Sequence, residues 1–594
     1  MKVLGISAWF HDAAAALVVD GKVTAAAQEE RFSRVKHDAA FPAQAISFVL
    51  QHGGLCIEDL DAVVFYEKPL RKFERLMTTH LRAAPRSWRQ FISAMSTWLS
   101  SRLWLKADIV ERLGCKPEQI VFSEHHLSHA ASIFFTAQRK EAAVVCADGV
   151  GEWACTTIFD GVDDDDNVDL VPVAEQHFPH SIGLVYSALT AYLGFRVNNG
   201  EYKVMGLAAY GEPRFVDELH RIARVDDDGV VDVDLRFFSF HTHDSQSFTP
   251  ALEVLLGPAR APDADLDLSR DDDDTRRWCD VAASIQLWAE EAMLAVCREA
   301  KRLTGRRHLC LAGGVALNSV ANRRIAEEAG FDTVDVHPAA GDAGGALGAA
   351  LYVSRVVGGD PRVAMSRNRL GPSSTTEAVA ERLQALGLTF EQHEDEDDLA
   401  AAIADALVDG QVCALVSGAA EWGPRALGHR SILADPRRHD VRDHVNVRIK
   451  RRERFRPFAP AVLVEDVDEW FDTGAGADRT LWSSMQSVLP AKQAAREQMP
   501  GVVHVDGTAR VQSVDDAEHP RLAHALRAFK ARTGVGVLLN TSMNLRGDPP
   551  VCSVLDAVAF FAQSSIDVLV VENCIVRTRL AWMTSSARAH LEAA

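Results

Sequence analysis

The sequence lacks several patterns that define common functional classes. None of its ten cysteines has CxxC spacing, which excludes a zinc ribbon and a redox dithiol and fits a reducing compartment. Runs of roughly 18 apolar residues are absent, and so is a long apolar signal core at the start, so we expect no membrane partner and a cytoplasmic location. The formal net charge of -20 argues against a nucleic-acid partner, because such proteins usually carry an extended basic surface.

The length and the order of strand and helix patterns predict an α/β protein with more than one domain. A chain of 594 residues is too long for one hydrophobic core. The strand–turn–strand pattern of Lys2–Glu30 recurs at Ala142–Gly161, which indicates an internal duplication. Composition then changes across Gly358–Thr376, which is rich in Gly, Pro, Ser and Arg, and 394–398 is entirely acidic. We therefore predict a first domain over 1–357, a linker region over 358–398 and a second domain over 399–594.

A concentrated basic segment stands out in this acidic chain. Arg448–Arg456 contains six basic residues and one acid, Glu453. Arginine binds phosphate and carboxylate bidentately, so an anion pocket is one interpretation. The apolar neighbours Phe455 and Phe458 favour it, because they indicate partial burial. The alternative is a solvated basic helix face.

The anion pocket would combine three segments of the predicted second domain. The GPRALG turn and the basic segment must come together, and a later strand end adds hydroxyl and amide groups that suit phosphate or ribose oxygens. The candidate residues are Arg425, Arg430, Lys450, Arg454, Arg456, Asn540, Thr541, Ser542, Asn544 and Arg546.

Two histidines and two aspartates form a candidate metal site. His125 and His129 are four residues apart in a predicted helix, so they share a face, although His126 could pair with His129 instead. Asp148 and Asp342 each lie in a glycine-rich turn after a predicted strand. Such a set suits iron, manganese or zinc. The alternative is that the histidines are surface or cap residues and the aspartates are turn formers.

Two glycine-rich turns between strand and helix are candidates for nucleotide binding. LAGGVALN contains Gly313, Gly314 and Asn318, and GDAGG contains Gly344. Glycine allows a close approach of the backbone, and the helix N-terminus offers free N–H groups to an anion. Neither turn matches the Walker pattern or a clean GxGxxG, and glycines also serve helix–sheet packing. Together with the duplicated strand units, they favour an actin-like ATPase (ASKHA) architecture.

The order of these segments resembles the O-carbamoyltransferases of the NodU/CmcH type over nearly the whole chain. The segments that carry the resemblance are HDAAAALVVDG, QEERFSRVKHDAAFP, EHHLSHAASIFF, ADGVGE, FPHSIGLVYSALTAYLGF, NNGEYKVMGLAAYG, LAGGVALN, GDAGGALGAA, EWGPRALGHRSILADPR, RERFRPFAP and LLNTSMNLRGDPPV.

The resemblance implies an ASKHA-fold N-terminal part and a YrdC-like C-terminal part. The YrdC-like part is expected to form carbamoyl adenylate from carbamoyl phosphate and ATP. The ASKHA part is expected to transfer the carbamoyl group to a hydroxyl of a small-molecule acceptor and release AMP. Fe²⁺ is the metal that the resemblance implies, and Mg²⁺ is a further candidate cofactor.

The resemblance also assigns roles to individual residues. His125, His129, Asp148 and Asp342 are the implied metal ligands, and His11 is the implied catalytic base. The residues implied to contact ATP and carbamoyl phosphate are Arg425, Lys450, Arg454, Arg456, Asn540, Ser542 and Arg546.

Three positions depart from the family pattern, and other functions remain open. Ala419 replaces a usual basic residue before GPRALG, His429 replaces a common Asn, and Met543 replaces a common Phe. The alternatives are an ASKHA-type small-molecule kinase, a tRNA-modification protein and a nucleotide-sensing module without turnover. The sequence indicates neither the acceptor nor the oligomeric state.

Overall fold

The computed structural model describes residues 1–100, 102–164, 167–243, 246–270, 272–363, 368–474 and 479–577. The chain divides into two compact units, one of Met1–Ala26 with Phe41–Met365 and one of Ala27–Ala40 with Ser366–Ala594. The predicted domain boundaries stay predictions, and 578–594 of the predicted second domain lie outside the described residues. None of the described helices is both long and apolar enough to cross a bilayer.

The first unit contains two five-stranded sheets with the same strand order. In the first sheet the order is β3-β2-β1-β4-β5, and in the second it is β8-β7-β6-β11-β12, while β9 and β10 pair separately. The strands are β1 (Lys2–Ser7), β2 (Ala14–Val19), β3 (Lys22–Gln28), β4 (Ala62–Phe65), β5 (Ile120–Phe122), β6 (Glu141–Ala147), β7 (Ala154–Asp163), β8 (Val168–His177), β9 (Ala223–Val225), β10 (Val231–Val233), β11 (His308–Ala312) and β12 (Thr333–Val336).

Strand directions repeat between the two sheets. β1 runs antiparallel to β2 and parallel to β4, and β6 runs antiparallel to β7 and parallel to β11. The outer pairs β4–β5 and β11–β12 are also parallel. The predicted α/β class, with a duplicated ASKHA-type N-terminal part, is therefore confirmed.

Helices connect these strands and fill the space around the sheets. They are α1 (Glu30–Ser33), α2 (Ala43–Gly53), α3 (Pro69–Ala83), α4 (Trp88–Ser100), α5 (Leu105–Leu113), α6 (His125–Phe134), α7 (Ile182–Tyr192), α8 (Glu201–Ala208), α9 (Val216–Ile222), α10 (Pro250–Leu256), α11 (Asp273–Thr304), α12 (Ser319–Glu328) and α13 (Asp342–Tyr352). α1 groups with the second unit, and the others belong to the first.

Small residues let α13 approach α6 closely, and this contact positions the metal candidates. A Cβ added at Gly348 of α13 would lie 1.7 Å from the carbonyl oxygen of Ser128 in α6. Real Cβ atoms do not come that close to an oxygen, so only glycine permits this backbone contact. Gly348 of the GDAGGALGAA segment therefore serves helix–helix packing, whereas the sequence interpretation named helix–sheet packing.

The second unit is built on one mixed sheet. The order is β13-β22-β21-β14-β15-β20-β16-β19, with β17 and β18 paired separately. Its strands are β13 (Glu391–Gln392), β14 (Cys413–Val416), β15 (Arg430–Ala434), β16 (Ala459–Leu463), β17 (Leu489–Pro490), β18 (Thr508–Ala509), β19 (Gln512–Val514), β20 (Val537–Ser542), β21 (Val568–Val571) and β22 (Cys574–Val576). Its helices are α14 (Thr376–Ala385), α15 (Glu396–Val408), α16 (Val441–Asp443), α17 (Val467–Trp470), α18 (Thr480–Ser483), α19 (Gln493–Gln498), α20 (Pro520–Thr533) and α21 (Val554–Gln563).

Residues 27–40 fold with the second unit and donate side-chain hydrogen bonds to its backbone, which the sequence did not indicate. Arg31 donates a hydrogen bond of 2.7 Å to the carbonyl oxygen of Gly423, at the start of the GPRALG turn. Arg34 donates one of 2.7 Å to the carbonyl oxygen of Pro550. The core of this unit packs α15 and α20 against the sheet through buried side chains such as Ile403 and Phe529.

Candidate functional site

The first candidate site begins at the N-terminus of α6. His125 and His129 lie one turn apart, both are buried, and their Nε2 atoms are 3.1 Å apart. Glu152 fixes the start of the helix, because its carboxylate accepts the backbone N–H of His125 at 3.0 Å. The alternative pairing is not formed, since His126 Nδ1 instead lies 2.7 Å from the hydroxyl of Thr157.

Two aspartates complete this group, one directly after a strand and one at the start of a helix. Asp148 follows β6, and its Oδ2 lies 3.3 Å from the Nε2 atoms of both His125 and His129. Asp342 opens α13, and its Oδ1 lies 3.4 Å from His129 Nε2 and 3.8 Å from His125 Nε2. The structure thus brings together the four residues that the sequence singled out, with one donor atom of each within 4.8 Å of the others.

The donor set and its spacing fit a first-row metal ion. Such an ion holds nitrogen and oxygen donors at about 2.0–2.2 Å, which places tetrahedral donors about 3.3–3.6 Å from one another. The separations of 3.1–3.8 Å agree with that spacing. Asp342 Oδ2 is buried without a hydrogen-bond partner among the described residues, as expected of an oxygen atom that binds a cation. Two imidazoles and two carboxylates suit iron, manganese and zinc alike.

The charges within this group perturb each other strongly. Burial alone would lower the pKa of His129, but hydrogen bonds to Asp148 and Asp342 raise that pKa to about 10. Although burial opposes it, hydrogen bonding to His125 and His129 holds the pKa of the Asp148 carboxyl well below its usual range. Buried carboxylates in this state are strong cation ligands, and such perturbed groups are typical of functional sites.

His11 lies at the edge of the same group. Its Nδ1 is 2.9 Å from Asp12 Oδ2, and its Nε2 is 3.7 Å from Asp342 Oδ2. Burial tends to lower the pKa of His11, but the charge of Asp342 and the bond to Asp12 raise it to about 9. The His11 side chain is 22% exposed, so a substrate can reach the imidazole.

The predicted nucleotide residues have structural roles in the same unit. A Cβ at Gly313 would lie 2.2 Å from Ala147 O, and one at Gly344 would lie 2.1 Å from Ala339 O. Gly314 lies beside Asp148, because its added Cβ would be 3.1 Å from Oδ1 of that residue. Asn318 caps α12 by accepting N–H groups of Val320 and Ala321, and it also pairs with Gln286. Nucleotide binding by these residues stays a prediction.

The second candidate site is formed by the GPRALG turn. Glu421 organises this turn, because its Oε1 accepts the backbone N–H groups of Leu427, His429 and Arg430, each at 2.9 Å. The Arg430 side chain is buried and donates to carbonyl oxygens, including those of Cys552 and Pro372. Arg430 therefore stabilises the loop rather than lining a pocket.

Lys450 lies buried next to the end of β20. Its ammonium donates to the carbonyl oxygen and hydroxyl of Ser542, and to Asn544 Oδ1 at 2.9 Å. Burial, followed by the positive charges of Arg452 and Arg456, lowers the pKa of Lys450 well below its usual range. The basic segment is not a solvated helix face, since residues 450–458 form turns and coil.

Two other arginines act electrostatically on Arg510 in this unit, and we call Arg425, Arg456 and Arg510 the arginine group. Burial lowers the pKa of Arg510 well below its usual range, and the charges of Arg425 and then Arg456 lower it further. The Arg510 Nε atom is buried and has no hydrogen-bond partner within the described part of the chain. Sequence reasoning missed Arg510, because it stands alone in the segment TARVQS. The only available signal was a basic residue directly before a short apolar strand.

The remaining predicted pocket residues differ in their placement. Arg454 is 71% exposed and pairs with Asp443 at 3.3 Å, so the structure does not bring it to the arginine group. Arg546 is half-exposed and lies 3.6 Å from Glu453. Asn540 is buried, donates to Gln512 at 2.6 Å, and keeps its Oδ1 without a partner among the residues described.

The three departures from the family pattern lie around the same loop. His429 Nδ1 is 2.8 Å from the carbonyl oxygen of Ser417, and its ring lies 5.7 Å from that of His519. Met543 is fully buried. Ala419 puts no side-chain charge before the GPRALG turn, whereas Arg510 supplies one near Arg425.

Comparison with known proteins identifies the kind of molecule that combines these two sites. Residues 2–351 match the family model for the carbamoyltransferase N-terminus, and 404–578 match the model for the carbamoyltransferase C-terminus. An uncharacterized protein of Synechocystis sp. is 43% identical over 97% of this chain and 96% of its own. The 3'-hydroxymethylcephem-O-carbamoyltransferase of Amycolatopsis lactamdurans is 36% identical over 44% of this chain and 47% of its own.

Solved structures resemble the chain only weakly. HypF of T. kodakarensis matches 60% of this chain and 48% of its own, with 15% identity and a TM-score of 0.33. The sequence matches define a group-transfer enzyme of the carbamoyltransferase type. The chain belongs to the carbamoyltransferase family.

Proposed function

We propose that this enzyme is an ATP-dependent O-carbamoyltransferase that works in two steps. The second unit, acting as a YrdC-like domain, forms carbamoyl adenylate from carbamoyl phosphate and ATP. The first unit then transfers the carbamoyl group to a hydroxyl of a small-molecule acceptor. The observation that carries the proposal is the arginine group of Arg425, Arg456 and Arg510 beside the buried Lys450.

The arginine group suits the first step because both substrates are polyanions. The charges of Arg425 and Arg456 lower the pKa of Arg510, and an anionic partner would remove this repulsion between the guanidinium groups. Carbamoyl phosphate and ATP repel each other in water, and preorganised cations offset that repulsion where the charge develops. Lys450 adds an ammonium at the end of β20, beside Ser542 and Asn544.

Besides carbamoyl phosphate and ATP, the first step needs only water as a reactant. Hydrolysis of carbamoyl phosphate breaks its carbonyl–oxygen bond and gives carbamate and phosphate. The carbamate oxygen then attacks the α-phosphorus of ATP, and pyrophosphate leaves with the electron pair of the broken P–O bond. The product is carbamoyl adenylate, whose AMP part is a good leaving group for the next step.

In the second step the acceptor hydroxyl attacks the carbamoyl carbon and AMP leaves. An alcohol is a weak acid, so a base must accept its proton as the new C–O bond forms. His11 is the proposed base, and Asp12 Oδ2, which lies 2.9 Å from its Nδ1, would orient the ring. His11 can act as a base only when its imidazole is neutral. The negative charge of Asp342 raises the pKa of His11, and a cation bound to Asp342 would offset that charge.

His125, His129, Asp148 and Asp342 would hold the metal ion. A divalent cation bound there would polarise the carbamoyl oxygen or bind phosphate oxygens. We take Fe²⁺ as the first candidate from the resemblance. Mg²⁺ is the expected counter-ion of ATP, and the acceptor is a small molecule that carries a free hydroxyl.

Product analysis with purified enzyme tests the proposal. Carbamoyl phosphate, ATP and a panel of hydroxylated small molecules are supplied, and nucleotides and acceptor masses are measured. We expect AMP and pyrophosphate, formed only with carbamoyl phosphate, and one acceptor that gains a carbamoyl group in place of a proton. ADP formed without carbamoyl phosphate would instead identify a small-molecule kinase. ATP binding without carbamoyl-dependent turnover would identify a nucleotide-sensing module.

A further inference from the structure

Helix α4 presents a row of large apolar side chains to solvent. Trp88, Ile92 and Leu99 are 56%, 58% and 59% exposed, and their spacing of four and seven residues puts them on one face of the helix. Leu81, at the end of α3, is 69% exposed, and Trp104, which follows α4, is 64% exposed. We call Leu81, Trp88, Ile92, Leu99 and Trp104 the apolar surface.

The apolar surface is separate from the face that attaches α4 to its unit. Trp98 is buried and lies 5.6 Å from Phe73 of α3, and Phe91 lies 5.8 Å from His80. Phe91 and Trp98 are seven residues apart, so they form a second stripe on the helix. One apolar stripe is enough to hold a surface helix, so the outward stripe needs another explanation.

The same segment is strongly basic in an acidic chain. Between Arg75 and Ala107 the sequence contains six basic residues and no acid, whereas the whole chain has a net charge of -20. Arg82, Arg86 and Arg89 are exposed, and no ion pair to any of them occurs in the described part of the structure. Arg89 lies over the ring of Trp88 at 5.4 Å. The exposed positive charges of Arg82, Arg86 and Arg89 favour an anionic partner.

Charge and shape together decide which partner fits. A second copy that met the same surface across a two-fold axis would bring arginine against arginine, which is unfavourable. Single-stranded nucleic acid is bound mainly by stacking on aromatic rings, whereas three of the five side chains of the apolar surface, Leu81, Ile92 and Leu99, are aliphatic. A lipid surface accepts aliphatic side chains, concentrates tryptophan at its interface and attracts arginine when it is anionic.

We propose that the apolar surface, with Arg82, Arg86 and Arg89, docks this enzyme onto an anionic lipid bilayer. The sequence expectation of no membrane partner rested on the absence of a spanning segment. Docking in the interfacial plane needs only an exposed apolar stripe with basic neighbours. The proposal concerns a surface outside the two candidate sites and does not depend on the acceptor.

Vesicle flotation with the full chain tests the proposal. The probes are phosphatidylcholine vesicles and vesicles with about 30% phosphatidylglycerol, a content chosen to give a clearly negative surface. We expect flotation with the anionic vesicles, little with the neutral ones, and release at high salt, because screening weakens the arginine contribution. Equal binding to both vesicles, or binding to neither, overturns the proposal.

Matched variants separate the apolar and the charged contributions. Ile92→Ser with Leu99→Ser, and separately Arg82→Gln with Arg86→Gln and Arg89→Gln, are each expected to lower partitioning. Three arginines near an anionic surface contribute roughly a hundredfold. The control for the first pair is Val254→Ser, at an 88% exposed valine of α10. The control for the arginines is the triple change to Gln at Arg221, Arg236 and Arg270, which are 70%, 82% and 69% exposed.

Two further measurements keep the result interpretable. Each variant must retain the thermal melting temperature of the wild type, which exposed positions allow. Trp88→Phe with Trp104→Phe, which removes both tryptophans of the apolar surface, should remove most of the blue shift in tryptophan emission that vesicles induce. Two results, each without flotation, would overturn the proposal. A gel shift with RNA would identify RNA as the partner, and a dimer that Ile92→Ser with Leu99→Ser dissociates would identify a second copy.

Discussion

The Nε2 atoms of His125 and His129 lie 3.1 Å apart on one buried face of α6. Two imidazole nitrogens at this distance share either a proton or a metal ion, because two lone pairs in contact repel each other. Asp148 Oδ2 lies 3.3 Å from both nitrogens, so an acceptor for a proton or a third ligand is present at the same point. The depressed pKa of Asp148 means that the carboxylate stays charged and available to a cation.

Removal of one imidazole should therefore abolish metal binding. His129→Ala is expected to lower metal content, measured by elemental analysis of the purified enzyme, from near one ion per chain to near zero. Loss of one ligand from a four-ligand site typically costs more than the tenfold to hundredfold seen for outer partners. His177→Ala, at a 54% exposed histidine of the same unit, is the control. Full metal content in His129→Ala would show that His129 is not a ligand.

Arg510 should matter more for the first step than Arg454. Removal of one preorganised cation from a buried anion site costs roughly a hundredfold to a thousandfold in rate. We expect a loss of that size when Arg510→Ala is assayed by carbamoyl-phosphate-dependent exchange of labelled pyrophosphate into ATP. Arg454→Ala should stay close to the wild type, because Arg454 is 71% exposed and pairs with Asp443. Equal losses in both variants would mean that the arginine group is not the binding site.

The contrast between these two arginines shows what the sequence could predict. Arg454 lies in the dense basic run and attracted attention, but its side chain points to solvent. Arg510 lies alone in sequence, and the pairing of β16 with β19 joins its segment to the one that follows Arg456. Such a contact depends on strand order, which no local pattern encodes. The metal candidates were predictable, because helical spacing and strand-end turns are local signals.

His11 should affect carbamoyl transfer but not activation. His11→Asn is expected to slow acceptor carbamoylation by about two to four powers of ten, the usual contribution of a general base. Pyrophosphate exchange in the same variant should be unchanged, since that step needs no proton from the acceptor, and it serves as an internal control for folding. An equal fall in both activities would assign His11 a role other than that of a base.

Stability of the second unit should fall as the medium becomes acidic. Burial, followed by the charge of His429, lowers the pKa of His519 from 6.5 to about 4. The unfolded chain then binds more protons than the folded one, so stability is full above the unfolded pKa and is lost as the pH falls toward 4. The contribution is about 3 kcal/mol.

Thermal unfolding of His519→Asn against wild type between pH 7.5 and pH 4.5 measures this effect. The melting temperature of the wild type should fall more steeply in this range than that of the variant. Parallel curves would show that His519 does not titrate on unfolding. His429 contributes in the same direction, because burial lowers its pKa as well, so His429→Asn should flatten the curve further.

Packing of α13 on α6 should control metal binding without any change of ligand. Gly348→Ala places a Cβ 1.7 Å from Ser128 O, so the two helices must separate. Overpacking of this kind costs about 1–3 kcal/mol or more, and it moves Asp342 away from His125 and His129, because Asp342 opens α13. We expect a lower melting temperature together with weaker metal binding, measured by calorimetric titration of the metal-depleted enzyme.

Gly341→Ala is the matched control for this change. Gly341 directly precedes α13, its φ is -77°, and its added Cβ would meet only a Leu317 side-chain atom at 4.0 Å. The melting temperature and the metal affinity of this variant should therefore stay near those of the wild type. If Gly348→Ala lowered stability but left metal affinity unchanged, the separation of the helices would be absorbed away from Asp342. The close contact of α13 with α6 would then stabilise the fold without positioning the ligands.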